Sequence, residues 1–147
     1  MLINVTFLII QSLAVIITLI SVILIYKTIK SNERLNQKIL FSNVTKEERE
    51  LKMKLREYRE KIENKKLTKK EQDIVQFNYE NSLFNYYEYL AICIYKKLIN
   101  ESESKLYFKD ILKGIKRVFE ESLLFEKNEA KKEEYPGIQW LFKIWNV

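Results

Sequence analysis

The chain has 147 residues, with 26 lysines and arginines against 20 aspartates and glutamates, two glycines and one proline. So little glycine and proline argues against sheets with tight hairpins and for an all-α chain. The absence of histidine removes the commonest general base and zinc ligand. The single cysteine, Cys93, excludes an internal disulfide.

Leu2 to Tyr26 carry no charged side chain. As a helix, that run is about 37 Å long, more than the roughly 30 Å hydrocarbon core of a bilayer, so it spans with some tilt. A cleaved signal peptide fits poorly. Met1-Leu2-Ile3-Asn4 has no basic side chain, the apolar stretch is long, and no small-residue cleavage site follows. Residues 1–26 are therefore expected to be an uncleaved anchor. Its serines and threonines can bond back to helix carbonyls at little cost, whereas Gln11 is the costly polar member. Lys27, Lys30, Arg34 and Lys38 follow the span, and only the α-amino group precedes it. The positive-inside rule then predicts a single-pass protein of the cell membrane, its N-terminus outside and its C-terminal domain cytoplasmic. The same four cations are expected to touch anionic lipid headgroups, at about 1 kcal/mol each.

Residues 27–44 read as a juxtamembrane helix and linker, broken at Ser42-Asn43-Val44. A capping box at Thr45-Lys46-Glu47-Glu48 is expected to open the domain over 45–147. Its first helix carries Leu51, Leu55, Tyr58 and Ile62 as a narrow apolar stripe and ends at Asn64-Lys65-Lys66. A second capping box, Thr68-Lys69-Lys70-Glu71, opens the longest amphipathic helix. Ile74, Phe77, Phe84, Tyr87, Ala91, Ile94 and Leu98 line one face, and Leu83, Tyr86, Leu90 and Ile92 widen it. So wide a stripe predicts the central helix of a small bundle. Cys93 lies in this apolar run and reads as a small buried hydrophobe. Asn100 to Glu103 form a turn and the next helix start. The helix that follows shows Tyr107, Phe108, Ile111, Leu112, Ile115, Val118 and Phe119, with Gly114 inside it, which a close helix crossing would explain. Pro136 fits a first helical position. Ile138, Leu141, Phe142 and Trp145 then share one face of a docked terminal helix.

No phosphate-binding loop, dinucleotide turn, catalytic triad or Cys/His metal spacing is present. Glu47-Glu48, Glu120-Glu121 and Glu133-Glu134 point in different directions on a helix and read as solvated surface. No catalytic, cofactor or metal-ligating residue is assigned, and the chain reads as non-enzymatic. The modest cation excess is interleaved with acids, which does not favour nucleic acid as a partner. One polar row stands out. Asn78, Asn81, Asn85 and Glu88 recur at spacings of 3, 4 and 3. It reads as a solvated edge, as a recognition surface, or as a network. In the network reading, Asn85 and Glu88 face the helix from Leu106 to Leu124, with Arg117 as the partner of Glu88.

The segment Phe84-Asn85-Tyr86-Tyr87-Glu88-Tyr89-Leu90-Ala91 resembles the Asn-aromatic-aromatic-Glu helix of a family of short bacterial and phage-borne proteins that carry a domain of unknown function. The resemblance covers residues 72–145, and the anchor matches more loosely. It implies a membrane helix ahead of a cytoplasmic helical bundle, and an accessory role linked to mobile elements or phage defence. It implies no activity and no cofactor. Together these features predict a membrane-tethered interaction module, with the lipid bilayer and either another protein or a second copy as partners and no small-molecule substrate. The alternative is a membrane-perturbing effector, pore-forming or holin-like, that oligomerises through Gln11, Ser12, Thr18 and Ser21 of the anchor.

Overall fold

The computed structural model describes the backbone of residues 2–63 and 67–147, and the side chains of 13–61, 63 and 67–147. The expected helix end at Asn64-Lys65-Lys66 and the side chains of Gln11, Ser12 and Ile62 lie outside the described residues. The described chain is all-α. Helix α1 spans Leu2–Glu63, α2 Lys69–Tyr95, α3 Glu101–Glu120, α4 Leu123–Glu126 and α5 Pro136–Trp145, with one 3₁₀ turn at Lys132–Glu134 ahead of α5. Two compact units divide it, Met1–Gln37 and Lys38–Val147.

The first unit is helical throughout its described length, and its described side chains are almost all exposed. It belongs to the one helix among the described residues that is long and apolar enough to cross a membrane. The hydroxyls of Thr18, Ser21 and Thr28 donate to the carbonyls of Ala14, Ile17 and Leu24 at 2.8–2.9 Å, the back-bonding expected of Ser and Thr in an apolar helix.

In the second unit the expected break at Ser42-Asn43-Val44 is absent, because α1 runs through it. Thr45 does not cap a helix; its hydroxyl donates back to the Ser42 carbonyl at 2.9 Å. Tertiary packing outweighs the weak helix propensity of Ser and Asn here. Val44 is fully buried, Leu40 and Phe41 pack against the core, and the Tyr86 hydroxyl donates to the Val44 carbonyl at 2.8 Å. This unit accordingly opens seven residues ahead of Thr45.

The second capping box forms as expected. The Thr68 hydroxyl accepts from the Glu71 amide, and the Glu71 carboxylate accepts from the Thr68 amide at 2.7 Å. The hydrogen bonds from Thr68 hold the Glu71 carboxyl below its ordinary pKa. Helix α2 packs against α3, α4 and α5, which accounts for its wide apolar stripe. At its C-terminal end Lys97 turns through the left-handed region (φ 56°), and Asn100 caps α3 by accepting from the Glu103 amide at 3.0 Å. Buried Ser104, Phe108, Leu112, Ile115 and Phe119 make the inner face of α3. Cys93 is buried, and desolvation raises its thiol pKa.

An aromatic cluster joins the elements. Phe84 of α2 stacks on Phe125 of α4, with centroids 5.5 Å apart, and meets Phe119 of α3 and Tyr135 edge-on at 5.1 and 5.5 Å. Ring pairs of this kind contribute about 0.5–1.5 kcal/mol beyond area burial. Pro136 opens α5 at a first-turn position, and Ile138, Leu141 and Trp145 bury its inner face, with Phe142 half-buried beside them.

The expected close crossing at Gly114 is not present. A Cβ there meets nothing within 4 Å, so this glycine faces open space. The tight approach is at Gly137, where a Cβ would lie 2.7 Å from Glu88 Oε1 and 2.9 Å from Ala91 Cβ. Glu88 could swing aside only by giving up its hydrogen bonds, and Ala91 has no room to yield. Gly114→Ala is therefore expected to stabilise the chain by up to about 1 kcal/mol through helix propensity. Gly137→Ala is expected to destabilise it by about 1–3 kcal/mol through overpacking. Thermal unfolding of both variants in mild detergent checks the opposite signs.

Candidate interaction surface

The polar row on α2 divides in the structure. Asn78, Asn81 and Asn85 are exposed; the Asn85 amide donates to Asn81 Oδ1 at 3.2 Å, and the Tyr135 hydroxyl to the same oxygen at 3.5 Å. Glu88 is half-buried and does not face α3. It receives the start of α5, with Oε1 accepting from the Gly137 amide at 2.8 Å and Oε2 from the Ile138 amide at 2.9 Å.

Arg117 is 81% exposed and lies 3.5 Å from Glu121, one turn along its own helix. The expected trio of Asn85, Glu88 and Arg117 is thus not brought together, and the pairing of Glu88 with Arg117 is corrected. The physical reason lies in α5. Its N-cap residue, Tyr135, makes no side-chain cap, and Pro136 has no amide hydrogen. The next two amides are orphan donors, and a carboxylate near a helix N-terminus also meets the positive end of the dipole.

A second carboxylate does the same work two turns earlier on α2. Glu80 is 2% exposed and accepts from three donors. Gln76 Nε2 donates to its Oε1 at 2.8 Å, while the Ser122 hydroxyl and the Leu124 amide donate to Oε2 at 2.6 and 3.3 Å. Ser122 is the N-cap of α4. The sequence reading missed Glu80, although a signal was present. The apolar series on α2 jumps seven residues from Phe77 to Phe84, and Glu80 sits in that gap in helical register.

Glu48 was missed in the same way. Expected on the surface, its side chain is 3% exposed and fills the stripe between Val44 and Leu51. Oε1 pairs with Lys52 at 2.7 Å, and Oε2 is buried with no hydrogen-bond partner among the described residues. Leu51, Leu83, Tyr87, Ile111 and Ile115 wall a small cavity of about 90 Å³ around it.

That cavity shares Leu55 and Tyr79 with a larger cleft of about 230 Å³, also lined by Tyr58, Arg59, Val75 and Val118. Tyr58 and Tyr79 meet edge-on across it at 6.2 Å. Burial pushes the Tyr79 phenol up to about 12, against an opposing pull from Arg59. Burial, then neighbouring charges that include Glu48, raises Tyr86 and Tyr87 well above the ordinary phenol range. Lys27, Lys30, Arg34 and Lys38 are all exposed on α1, and the Lys30 ammonium lies 5.9 Å from the Tyr26 ring centre. Among the described residues no group of three or more acidic or cysteine side chains converges as a metal site would.

Among the described residues these features define an all-α chain with one helix long and apolar enough to cross a membrane and a carboxylate-capped helical unit. Residues 8–145 match the family model of a domain of unknown function, DUF4760, and the chain belongs to that family. No curated protein and no solved structure matches it.

Two predictions follow from the buried groups. Glu80→Ala leaves the buried Ser122 hydroxyl and the Gln76 amide without their acceptor, Glu88→Ala leaves the Gly137 and Ile138 amides without one, and each is expected to cost about 1–3 kcal/mol. Arg117→Ala, on the surface, is expected to stay within about 0.5 kcal/mol. Chemical denaturation of the three variants measures this order. For alkaline pH, a folded-state phenol pKa raised above its unfolded value means that the native state holds its protons longer. Stability is then full below the ordinary value of 10 and falls as pH rises towards 12. Circular dichroism is expected to show unfolding in that window, and Tyr79→Phe to shift it upward.

Proposed function

We propose that this chain is a non-enzymatic, membrane-tethered interaction module. In this reading residues 1–26 are a single-pass anchor with the N-terminus outside. Lys27, Lys30, Arg34 and Lys38 contact anionic headgroups, and residues 38–147 lie on the cytoplasmic side. The orientation draws on the four cations that follow the apolar run.

The observation that carries the interaction role is the cleft between α1 and α2. It sets Tyr58, Tyr79 and Arg59, residue types concentrated in binding hot spots, against the apolar walls of Leu55, Val75 and Val118. Its occupant is an apolar side chain of a partner protein. Glu80, which also lines the cleft, already accepts from Gln76, Ser122 and Leu124.

The rival reading, a pore-forming or holin-like effector, draws on polar anchor residues. Thr18 and Ser21 use their hydroxyl hydrogens within α1, which leaves them poorer as donors between helices. We also propose an accessory role in phage defence or on mobile elements, for which a partner enzyme encoded beside this gene is the expected finding.

The direct test is capture of partners by the tagged full chain after mild detergent extraction. Val75→Arg and Tyr58→Ala are expected to lose at least about 90% of the captured partner, a loss of roughly 1.4 kcal/mol or more, while keeping the helical signal of the parent. Undiminished capture by both would remove the cleft from the mechanism. Loss of membrane potential on induction, with capture absent, would favour the pore reading instead.

A further inference from the structure

The described part of the first unit is uncharged and exposed on all sides up to Tyr26, and beyond it one helix face stays uncharged. Val15, Thr18, Val22, Ile25, Ile29, Asn32 and Asn36 recur at spacings of 3, 4, 3, 4, 3 and 4, a heptad register held over three repeats. Val15, Val22, Ile25 and Ile29 are each more than half exposed, and Thr18, Asn32 and Asn36 are exposed as well. The charges of this unit are segregated from that face. At about 3.6 residues per turn, Lys27, Lys30 and Arg34 fall on the opposite side of the helix. Only Glu33 flanks the face, and in a parallel pair its counterpart position is the neutral Thr28.

We propose that this face is the seam of a parallel homodimer, so that the partner of the anchor helix is a second copy of the same chain. The proposal rests on the membrane-tethered reading given above and names one of its partners.

Three observations select a second copy over an unlike helix. First, insertion in one orientation sets identical helices parallel and at equal depth, so each seam residue meets its own equivalent. Second, such a meeting tolerates only side chains compatible with themselves. Asn32 and Asn36 qualify, because an amide carries both a donor and an acceptor and can bond its own copy. The cations do not qualify, and they lie on the far side. Third, one set of core positions reads Val15, Val22, Ile29 and Asn36. A polar asparagine at one such position fixes the register of paired helices. Within the bilayer, association comes from side-chain packing. Beyond Tyr26, burial of Ile29 and the asparagine pairs continue it.

Disulfide scanning of the full chain in native membranes tests the proposal. Single cysteines are introduced along α1, and the parent chain, whose Cys93 is buried, gives the background. Oxidation is expected to give covalent dimers most strongly at Ile25, Ile29, Asn32 and Asn36, and least at Lys27, Lys30 and Arg34. The profile should oscillate with a period of about 3.5 residues. Asn36→Lys should abolish the crosslink at Ile29→Cys, whereas Ser31→Lys, which points away from the seam, should preserve it. A flat profile, no dimer, or a maximum on the lysine face overturns the proposal. If that occurs while the extracted chain still captures a partner through the cleft, only the homodimer is lost. If the periodic profile forms and no partner is captured, the homodimer stands and the cleft-based role falls.

Discussion

Two carboxylates on one helix organise the second unit. Glu80 and Glu88 lie eight residues apart on α2, near enough to two turns that they project from neighbouring strips of its surface. One receives the start of α4, and the other receives the start of α5. Both helices are short, at four and ten residues. Isolated helices of that length are marginal in water. Their positions therefore depend on the long helix, whose carboxylates accept from the Ser122 hydroxyl and Leu124 amide at α4 and from the Gly137 and Ile138 amides at α5, the latter a helix start with no side-chain cap of its own. Gly137 belongs to the same arrangement, since a side chain there would occupy the space of the Glu88 carboxylate.

The aromatic cluster works with these caps. Phe84 lies midway between Glu80 and Glu88 and touches rings from α3, α4 and the approach to α5. The carboxylates fix where the short helices begin, and the rings fill the space under them. Directional charge-assisted hydrogen bonds set register, while non-directional burial supplies most of the stabilisation. On the other side of α2, Tyr86 ties in α1 through the Val44 carbonyl. That bond and the burial of Val44 hold as helix a stretch whose local sequence favours a break.

Burial of Glu48 differs in kind. One oxygen is paired and the other has no partner among the described residues, next to a cavity and to Tyr87. A buried polar atom without a partner costs about 1–3 kcal/mol. It sits where α1 meets α2 and α3, beside the cleft that we assign to a partner. The engaged Glu80 and the half-engaged Glu48 thus both border this region.

The sequence by itself determined the all-α class, the long apolar run near the N-terminus, the capping box of α2, the asparagine cap of α3 and the proline start of α5. The caps and the proline start are local matters, settled by residues within one or two turns of one another, while the class and the apolar run are read from composition. Only the tertiary structure decided what Glu48, Glu80, Glu88, Gly114 and Gly137 do. Glu88 and Gly137 are 49 residues apart, and no spacing rule connects a carboxylate to amides at that distance. Arg117 is a reasonable partner by charge, but the orphaned amides of a helix start also attract a carboxylate, and backbone amides leave no mark in composition. Glu80 and Glu48 could have been suspected, since each interrupts an apolar stripe in perfect helical register. What they bond to depends on which backbone donors the fold delivers to them, and that is a property of the assembled helices.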